Sequence, residues 1–267
     1  MDLSTKMLDK SPTTQFRCGY CGSTVQSYNQ SFGICQFCEM YNDNATKQDK
    51  ELSGVLGQVN SLVSRSDFDA AAKLFESLVA NHNSAEYNYA FGVFNQMYSD
   101  HEYGMRDYTT PNGYMEANSA RINAGNAHFS TAKALFFKSI LLSDAAYQQS
   151  KDANVLYAKF LSQIRLRKVL DSKATLSELE SASATSAVTE YARMLYLCAT
   201  SDKKSEQQVA KVALLGVPNA FYYAADLCAE RSKLGDAKRF ATALLGKVDM
   251  YAAKKLLIGI ERAQAII

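Results

Sequence analysis

Tryptophan is missing from this chain of 267 residues, and only three prolines occur, Pro12, Pro111 and Pro218. Proline is excluded from helix interiors, so a long chain with so few breakers favours helices. A dominant sign of charge is lacking too. The net charge of +2 argues against a surface built mainly to hold nucleic acid or anionic membrane. No unbroken apolar run approaches the roughly 20 residues that span a bilayer. The nearest, Val155 to Leu170, is interrupted by Lys159, Arg165, Arg167 and Lys168. At about 100° per residue those cations scatter around a helix instead of lining one face, and they read as solvated. The opening Met1-Asp2-Leu3-Ser4-Thr5-Lys6 has no basic stretch followed by an apolar run, as a secretory signal would. The expectation is a soluble, cytoplasmic protein with no membrane insertion.

Catalytic signatures are also scarce. No nucleophile motif and no phosphate-cradling glycine loop appears. Of three histidines, His82 and His128 are isolated, and only His101 sits near carboxylates, at Glu102 and Asp107. One such histidine is a thin basis for acid–base chemistry, so no enzymatic activity is expected.

What is present is a pattern of cysteines. Four of the six form two Cys-x-x-Cys pairs, Cys18 with Cys21 and Cys35 with Cys38, separated by thirteen residues. Each turn of this kind brings two sulfurs to one side of a tight loop. Two such turns suit a tetrahedral site with four cysteine ligands. Gly22 permits the unusual backbone angle that closes the first turn. Between the turns, Thr24-Val25-Gln26-Ser27-Tyr28 and Ser31-Phe32-Gly33-Ile34 are expected to pair as a hairpin around Asn29-Gln30. The segment from about Thr14 to Tyr41 resembles a zinc ribbon. That resemblance implies one structural Zn²⁺ with a closed coordination sphere, and a module that binds nucleic acid or protein or braces a neighbour. Arg17 is its sole cation, fewer than phosphate contacts require. Tyr20, Phe32 and Phe37 read as filling the ribbon's small core. The remaining Cys198 and Cys228 lie singly in apolar stretches and read as core residues.

A polar stretch follows, Asn42-Asp43-Asn44-Ala45-Thr46-Lys47-Gln48, taken as a linker over 42–50, and then helical periodicity begins. Leu52, Val55, Leu56, Val59, Leu62 and Val63 share one helix face. The stretch from Ser66 to Leu78 places Phe68, Ala71, Phe75 and Leu78 at the spacing of the second helix of a tetratricopeptide repeat, which it resembles. The preceding helix lacks that family's signature, and Asn83 stands where a closing proline is common. Near the other end, Leu197-Cys198-Ala199 recurs as Leu227-Cys228-Ala229, and Ala213-Leu214-Leu215-Gly216 as Ala243-Leu244-Leu245-Gly246, both at an offset of thirty. Helix pairs are expected over 187–215 and 219–245, with further helices over 130–147, 154–170 and 176–182 and a last one from Met250. Units of this kind bury their apolar faces by stacking. The fold expected is mainly α: a small β zinc ribbon over 14–41, then an α-solenoid of stacked, tetratricopeptide-like helix hairpins over 51–267.

An irregular, tyrosine-rich segment interrupts the helices near 98–126. Tyr98, Tyr103, Arg106, Tyr108 and Tyr114 have the composition of a partner-binding surface; packing across the concave side of the solenoid is the other reading. The functional expectation is a protein-binding adaptor that offers helical groove and ribbon to a protein or peptide. The alternative is an accessory factor of translation or transcription that touches nucleic acid through the ribbon.

Overall fold

The computed structural model describes residues 3–43, 50–103, 119–183 and 186–266. The described chain is mainly helical, with two small β-hairpins at its start. Strand β1 (Thr14–Arg17) pairs antiparallel with β2 (Thr24–Ser27), and β3 (Phe32–Ile34) with β4 (Tyr41–Asp43). Each hairpin therefore turns through one Cys-x-x-Cys pair.

This corrects the expected pairing of 24–28 with 31–34, and local hydrogen bonds supply the reason. Around Asn29 the polar groups are taken by side chains: the Ser27 hydroxyl donates to the Phe32 carbonyl at 2.8 Å, and Ser27 Oγ accepts from Asn29 N–H at 3.0 Å. Asn29 Oδ1 accepts from Ser31 N–H at 2.9 Å. Such bonds compete with a strand ladder. Gln36 takes the place of a strand partner for β2, accepting from Gln26 N–H at 2.8 Å and donating to the Gln26 carbonyl at 3.0 Å.

Eleven α-helices follow among the described residues: α1 (Lys50–Ser64), α2 (Phe68–Asn81), α3 (Ala85–Glu102), α4 (Ser119–Ser150), α5 (Ala153–Arg165), α6 (Val169–Ser183), α7 (Ala187–Ala199), α8 (Ser205–Leu214), α9 (Asn219–Glu230), α10 (Leu234–Leu245) and α11 (Tyr251–Ile266). Side-chain caps start several of them. Asp67, Ser84, Asp152 and Ser186 each accept a first-turn N–H, satisfying donors that a helix start leaves open. No described helix is long and apolar enough to cross a membrane.

Four helix pairs close through one turn. After α1, α5, α7 and α9 a residue adopts a left-handed backbone: Ser66 (φ 71°), Arg167 (φ 57°), Ser201 (φ 51°) and Ser232 (φ 59°). In each, that residue's N–H reaches back three positions and the next N–H reaches back five, the Schellman pattern that satisfies a helix's last carbonyls. Glycine usually holds this position, so its absence hid the turns. Hence α5 stops at Arg165 and α6 starts at Val169, where the sequence reads as one helix over 154–170. The turns at Ser201 and Ser232 lie 31 apart, against the offset of thirty read from the letters. Leu214 is 88% exposed whereas Leu244 is fully buried, so the repeated letters do not occupy equivalent places in α8 and α10.

Helices α3 and α4 form the most extensively packed pair. Their contact is a row of small residues at intervals of seven, Ala85, Gly92 and Ser99 on α3 and Gly125, Ala132 and Ser139 on α4. The Ser139 hydroxyl donates to the Ala85 carbonyl at 2.8 Å and the Ser99 hydroxyl to the Gly125 carbonyl at 2.7 Å, fixing an antiparallel register. A Cβ on Gly92 would come within 2.6 Å of the Phe136 ring, so only glycine admits that approach. Helix α3 runs to Glu102 and α4 starts at Ser119. The segment read as irregular near 98–126 is thus helical at both ends, and 104–118 lies outside the described residues.

The chain packs as two compact units, one of residues 1–18, 24–47 and 176–267, the other of 19–23 and 48–175. This grouping does not follow chain order. In the first, α7 to α11 pack in succession around buried Tyr191, Phe221 and Phe240. In the second, α1 to α5 do so around Phe75, Phe94, Tyr89, Phe136 and Phe160, all 1% exposed or less. Phe68, Ala71, Phe75 and Leu78, taken from the sequence as the packing face of α2, are all buried.

Candidate metal centre

The turns of the two β-hairpins bring Cys18, Cys21, Cys35 and Cys38 together. All four are buried, and their sulfur atoms lie within 4.8 Å of one another. They are thiols and not disulfides; Cys18 Sγ and Cys38 Sγ are 3.6 Å apart. A tetrahedral ion with metal–sulfur bonds of about 2.3 Å sets its sulfurs roughly 3.8 Å apart. The donor set therefore fits a metal ion held by four thiolates.

Two of the sulfurs accept hydrogen bonds. Phe37 N–H donates to Cys35 Sγ at 3.4 Å, and the Asn42 amide to Cys18 Sγ at 3.5 Å. Gly22 has φ 75°, and a Cβ there would collide with the Leu56 carbonyl. The left-handed angle expected at that position is present, with a close approach as a second reason for glycine. Tyr87 donates its hydroxyl to the Gly19 carbonyl at 3.2 Å, and its ring lies 6.0 Å from that of Tyr20.

The second Cys-x-x-Cys turn is bonded to helices of its own unit through residues that sequence reading passed over. Asn219, at the start of α9, donates to the Cys35 carbonyl at 3.1 Å and accepts from Gln36 Nε2 at 3.0 Å. Glu39 is buried with a left-handed backbone (φ 62°). Its Oε1 accepts from Tyr191 of α7 at 2.9 Å and Tyr223 of α9 at 2.5 Å. Tyr28 N–H donates to the Gly216 carbonyl at 3.0 Å, and the Asn29 amide to the Leu215 carbonyl at 3.2 Å. The only advance signal was Pro218-Asn219, a helix start with an amide too polar to bury unpartnered. Nothing in the letters singled out Glu39.

Of the ribbon aromatics, Tyr20 meets Tyr87 of α3 instead of the ribbon's own core. Phe32 is buried and stacks on Tyr41 at 5.5 Å, and Phe37 is half-buried. Of the two lone cysteines, Cys228 is buried and Cys198 half-buried. Burial pushes the Cys198 thiol up to about 12, aided by Asp226 and Glu230, so it stays protonated and inert. A further polar cluster centres on buried Glu190 of α7. It meets Lys211 Nζ and Arg193 Nη1 at 2.8 Å each and the Gln208 amide at 2.7 Å. Burial raises its carboxyl, but these three partners outweigh that and hold it at about 2.

Among the tyrosines considered for partner binding, Tyr98 is buried in α3. Its hydroxyl donates to Asp69 at 2.6 Å and its ring stacks on His128 at 3.7 Å. Burial, with the Asp69 bond, pushes that hydroxyl far above its ordinary range. Burial likewise lowers the His128 imidazole, against the pull of Glu102 and Asp69. Tyr103 donates to Asn126 at 2.6 Å, and its ring lies over Gly125. Arg106, Tyr108 and Tyr114 lie outside the described residues. His101 stacks on Phe68 at 4.4 Å and lies 3.8 Å from Glu102.

Comparison with known proteins adds no relative: no family model, no curated protein and no solved structure matches this chain.

Proposed function

We propose that the protein is a non-enzymatic cytoplasmic adaptor, stabilised by one structural zinc ion, that binds a protein or peptide on its helical surfaces. Zinc suits a buried site of four sulfurs because it accepts thiolates in tetrahedral geometry, and four such ligands leave no position for substrate. The helix pairs, in this reading, stack as a tetratricopeptide-like α-solenoid, an architecture that offers long binding surfaces.

The observation that carries the reading is how the second cysteine turn is used. The Cys35 carbonyl, Gln36 and Glu39 are all bonded to helix residues. A metal site consumed in this way supports architecture, which leaves recognition to the helices. A nucleic-acid role for the ribbon draws little support, since Arg17 is the one cation between Thr14 and Asp43.

Two measurements test this. Metal analysis of the purified chain is expected to give one zinc per molecule, lost when Cys35 and Cys38 are replaced by serine. A tagged pull-down with and without nuclease is expected to recover a defined protein set that survives nuclease and changes little with salt. A set that vanishes with nuclease, and weakens steeply with salt as phosphate contacts do, would refute the adaptor reading and put the ribbon on nucleic acid.

A further inference from the structure

Helix α4 packs against α3 and α5 and leaves part of its surface uncovered. Gly125, Ala132, Phe136, Ser139 and Ser143 are buried, and large apolar side chains stand in the open along a line that winds from the edge of that face to the far side. Phe129 is 40% exposed, Phe137 48% and Leu141 71%. With Lys133 they stand at intervals of four, a spacing that forms a continuous ridge of about 18 Å on a helix. Lys133 Nζ sits 4.4 Å from the centroid of Phe129 and Lys168 Nζ 5.1 Å from that of Phe137.

The charge along this helix is one-sided. From Ser119 through Ser143, 25 residues, there is no aspartate or glutamate, while Arg121, Lys133 and Lys138 are cationic. That run stands out in a chain with 29 lysines and arginines against 27 acids. The first carboxylate on α4, Asp144, is paired with Lys159 at 2.7 Å. Lys168 meets Asp171 at 3.5 Å and Arg121 meets Glu102 at 3.9 Å. Among the described residues no carboxylate pairs with Lys133 or Lys138.

We propose that the ridge Phe129–Lys133–Phe137–Leu141 is a docking surface for an amphipathic helix of a protein partner whose apolar row is flanked by carboxylates. The partner's groove takes the two rings and Leu141, as ridges pack into grooves between helices, and its acids meet Lys133 and Lys138. A lipid surface fits less well, because interfacial helices present an unbroken apolar side and Lys133 interrupts this one. The proposal rests on the adaptor reading and names its site and the chemistry of its partner.

The test uses the full chain and a displayed library of helical peptides with a constant apolar row and randomised flanking charges. Two variants accompany it, Phe137→Ser with Leu141→Ser, and Lys133→Glu with Lys138→Glu. All four side chains are outside the core, so circular dichroism and melting are expected to match the parent. Acid-rich peptides should be enriched. Binding should weaken about 30-fold or more in the serine variant, as at an interface hot spot, and the charge-reversed variant should select lysine-rich peptides instead. Binders that ignore both variants would overturn the α4 site while leaving the adaptor reading intact, since another surface would then be in use. Enrichment without acidic bias, or none at all, would overturn the site as well. So would binding to vesicles rich in phosphatidylserine that the serine variant loses, which would assign the ridge to lipid.

Discussion

In the unit that contains the second cysteine turn and α7 to α11, the bonds from ribbon to helix end on buried polar groups: Glu39 under two tyrosine hydroxyls, Asn219 against Gln36 and the Cys35 carbonyl. In the unit of α1 to α5, packed rings join the helices to one another. Phe75 and Phe91 lie 5.0 Å apart, Phe68 and Tyr98 5.2 Å, and Tyr89 and Phe136 5.7 Å. The difference matters because the two kinds of contact fail differently. A buried carboxylate with directed partners tolerates little displacement and loses its worth once they shift. Packed rings lose free energy in proportion to the cavity left behind. The first unit should therefore depend on the turn that carries Cys35 and Cys38, and the helices of the second on side-chain volume.

The largest expected effect is that of metal loss. Structural zinc contributes about 10–16 kcal/mol to small metal-folded modules, comparable with the whole stability of a domain. Cys35→Ser, or a strong chelator, is expected to abolish amide-exchange protection in α7 and α9 while α3 and α4 keep theirs. Retained protection in α7 and α9 would break the comparison, leaving the polar bonds to Glu39 and Asn219 as decoration.

Next comes Phe94→Ala. This side chain is 1% exposed and lies within about 6 Å, ring to ring, of Phe68, Phe75, Phe91 and Tyr98. The substitution should cost about 3–5 kcal/mol in denaturant unfolding of the second unit, with metal content unchanged. A fall in bound metal would show that ring packing also holds Cys21, which belongs to that unit.

Acid should act on the first unit with a smaller effect. Glu190 is held at about 2 against an ordinary 4.5, so its contribution is complete above about pH 4.5. It is lost as pH falls from there toward 2, where the folded form must also take up the proton. With Lys211 54% exposed and the pair partly screened, the loss is about 2 kcal/mol. Urea titrations at pH 5 and pH 3 should show about half of it, on top of the loss that protonation of the metal ligands causes, and Glu190→Gln should lessen the difference by that half. An unchanged slope in that variant would place the acid sensitivity elsewhere.

The smallest change expected is that of Glu39→Gln. The amide oxygen can still accept from Tyr191 and Tyr223 but without charge, which costs about 1 kcal/mol. Thermal melting of the metal-loaded protein should register it. A loss several times larger would mean that the carboxylate charge itself holds α7 and α9 to the turn.

The comparison also sorts what could be read in advance. The helices were legible because apolar residues recur at helical spacing, as Leu52 to Val63 and Phe68 to Leu78 show, and the cysteine cluster because its spacing leaves few alternatives. The row Ala85, Gly92, Ser99 against Gly125, Ala132, Ser139 was open to reading too, since small residues seven apart mark a close helix contact. The four left-handed turns at Ser66, Arg167, Ser201 and Ser232 were not, because the backbone adopts that angle with residues that do not advertise it.

By itself, then, the order of residues determined that the chain is mainly helical, that helices such as α1 and α2 carry one apolar face, and that two cysteine pairs meet. Those are local matters of periodicity and loop length. Which strands pair, which side chain satisfies the buried Glu39, and which side of α4 faces outward were decided by tertiary structure. Each depends on groups far apart in the chain meeting in space: Glu39 is 152 residues from its partner Tyr191. No short-range pattern encodes such a pairing. The burial of a charged group becomes tolerable only when the fold delivers its partners.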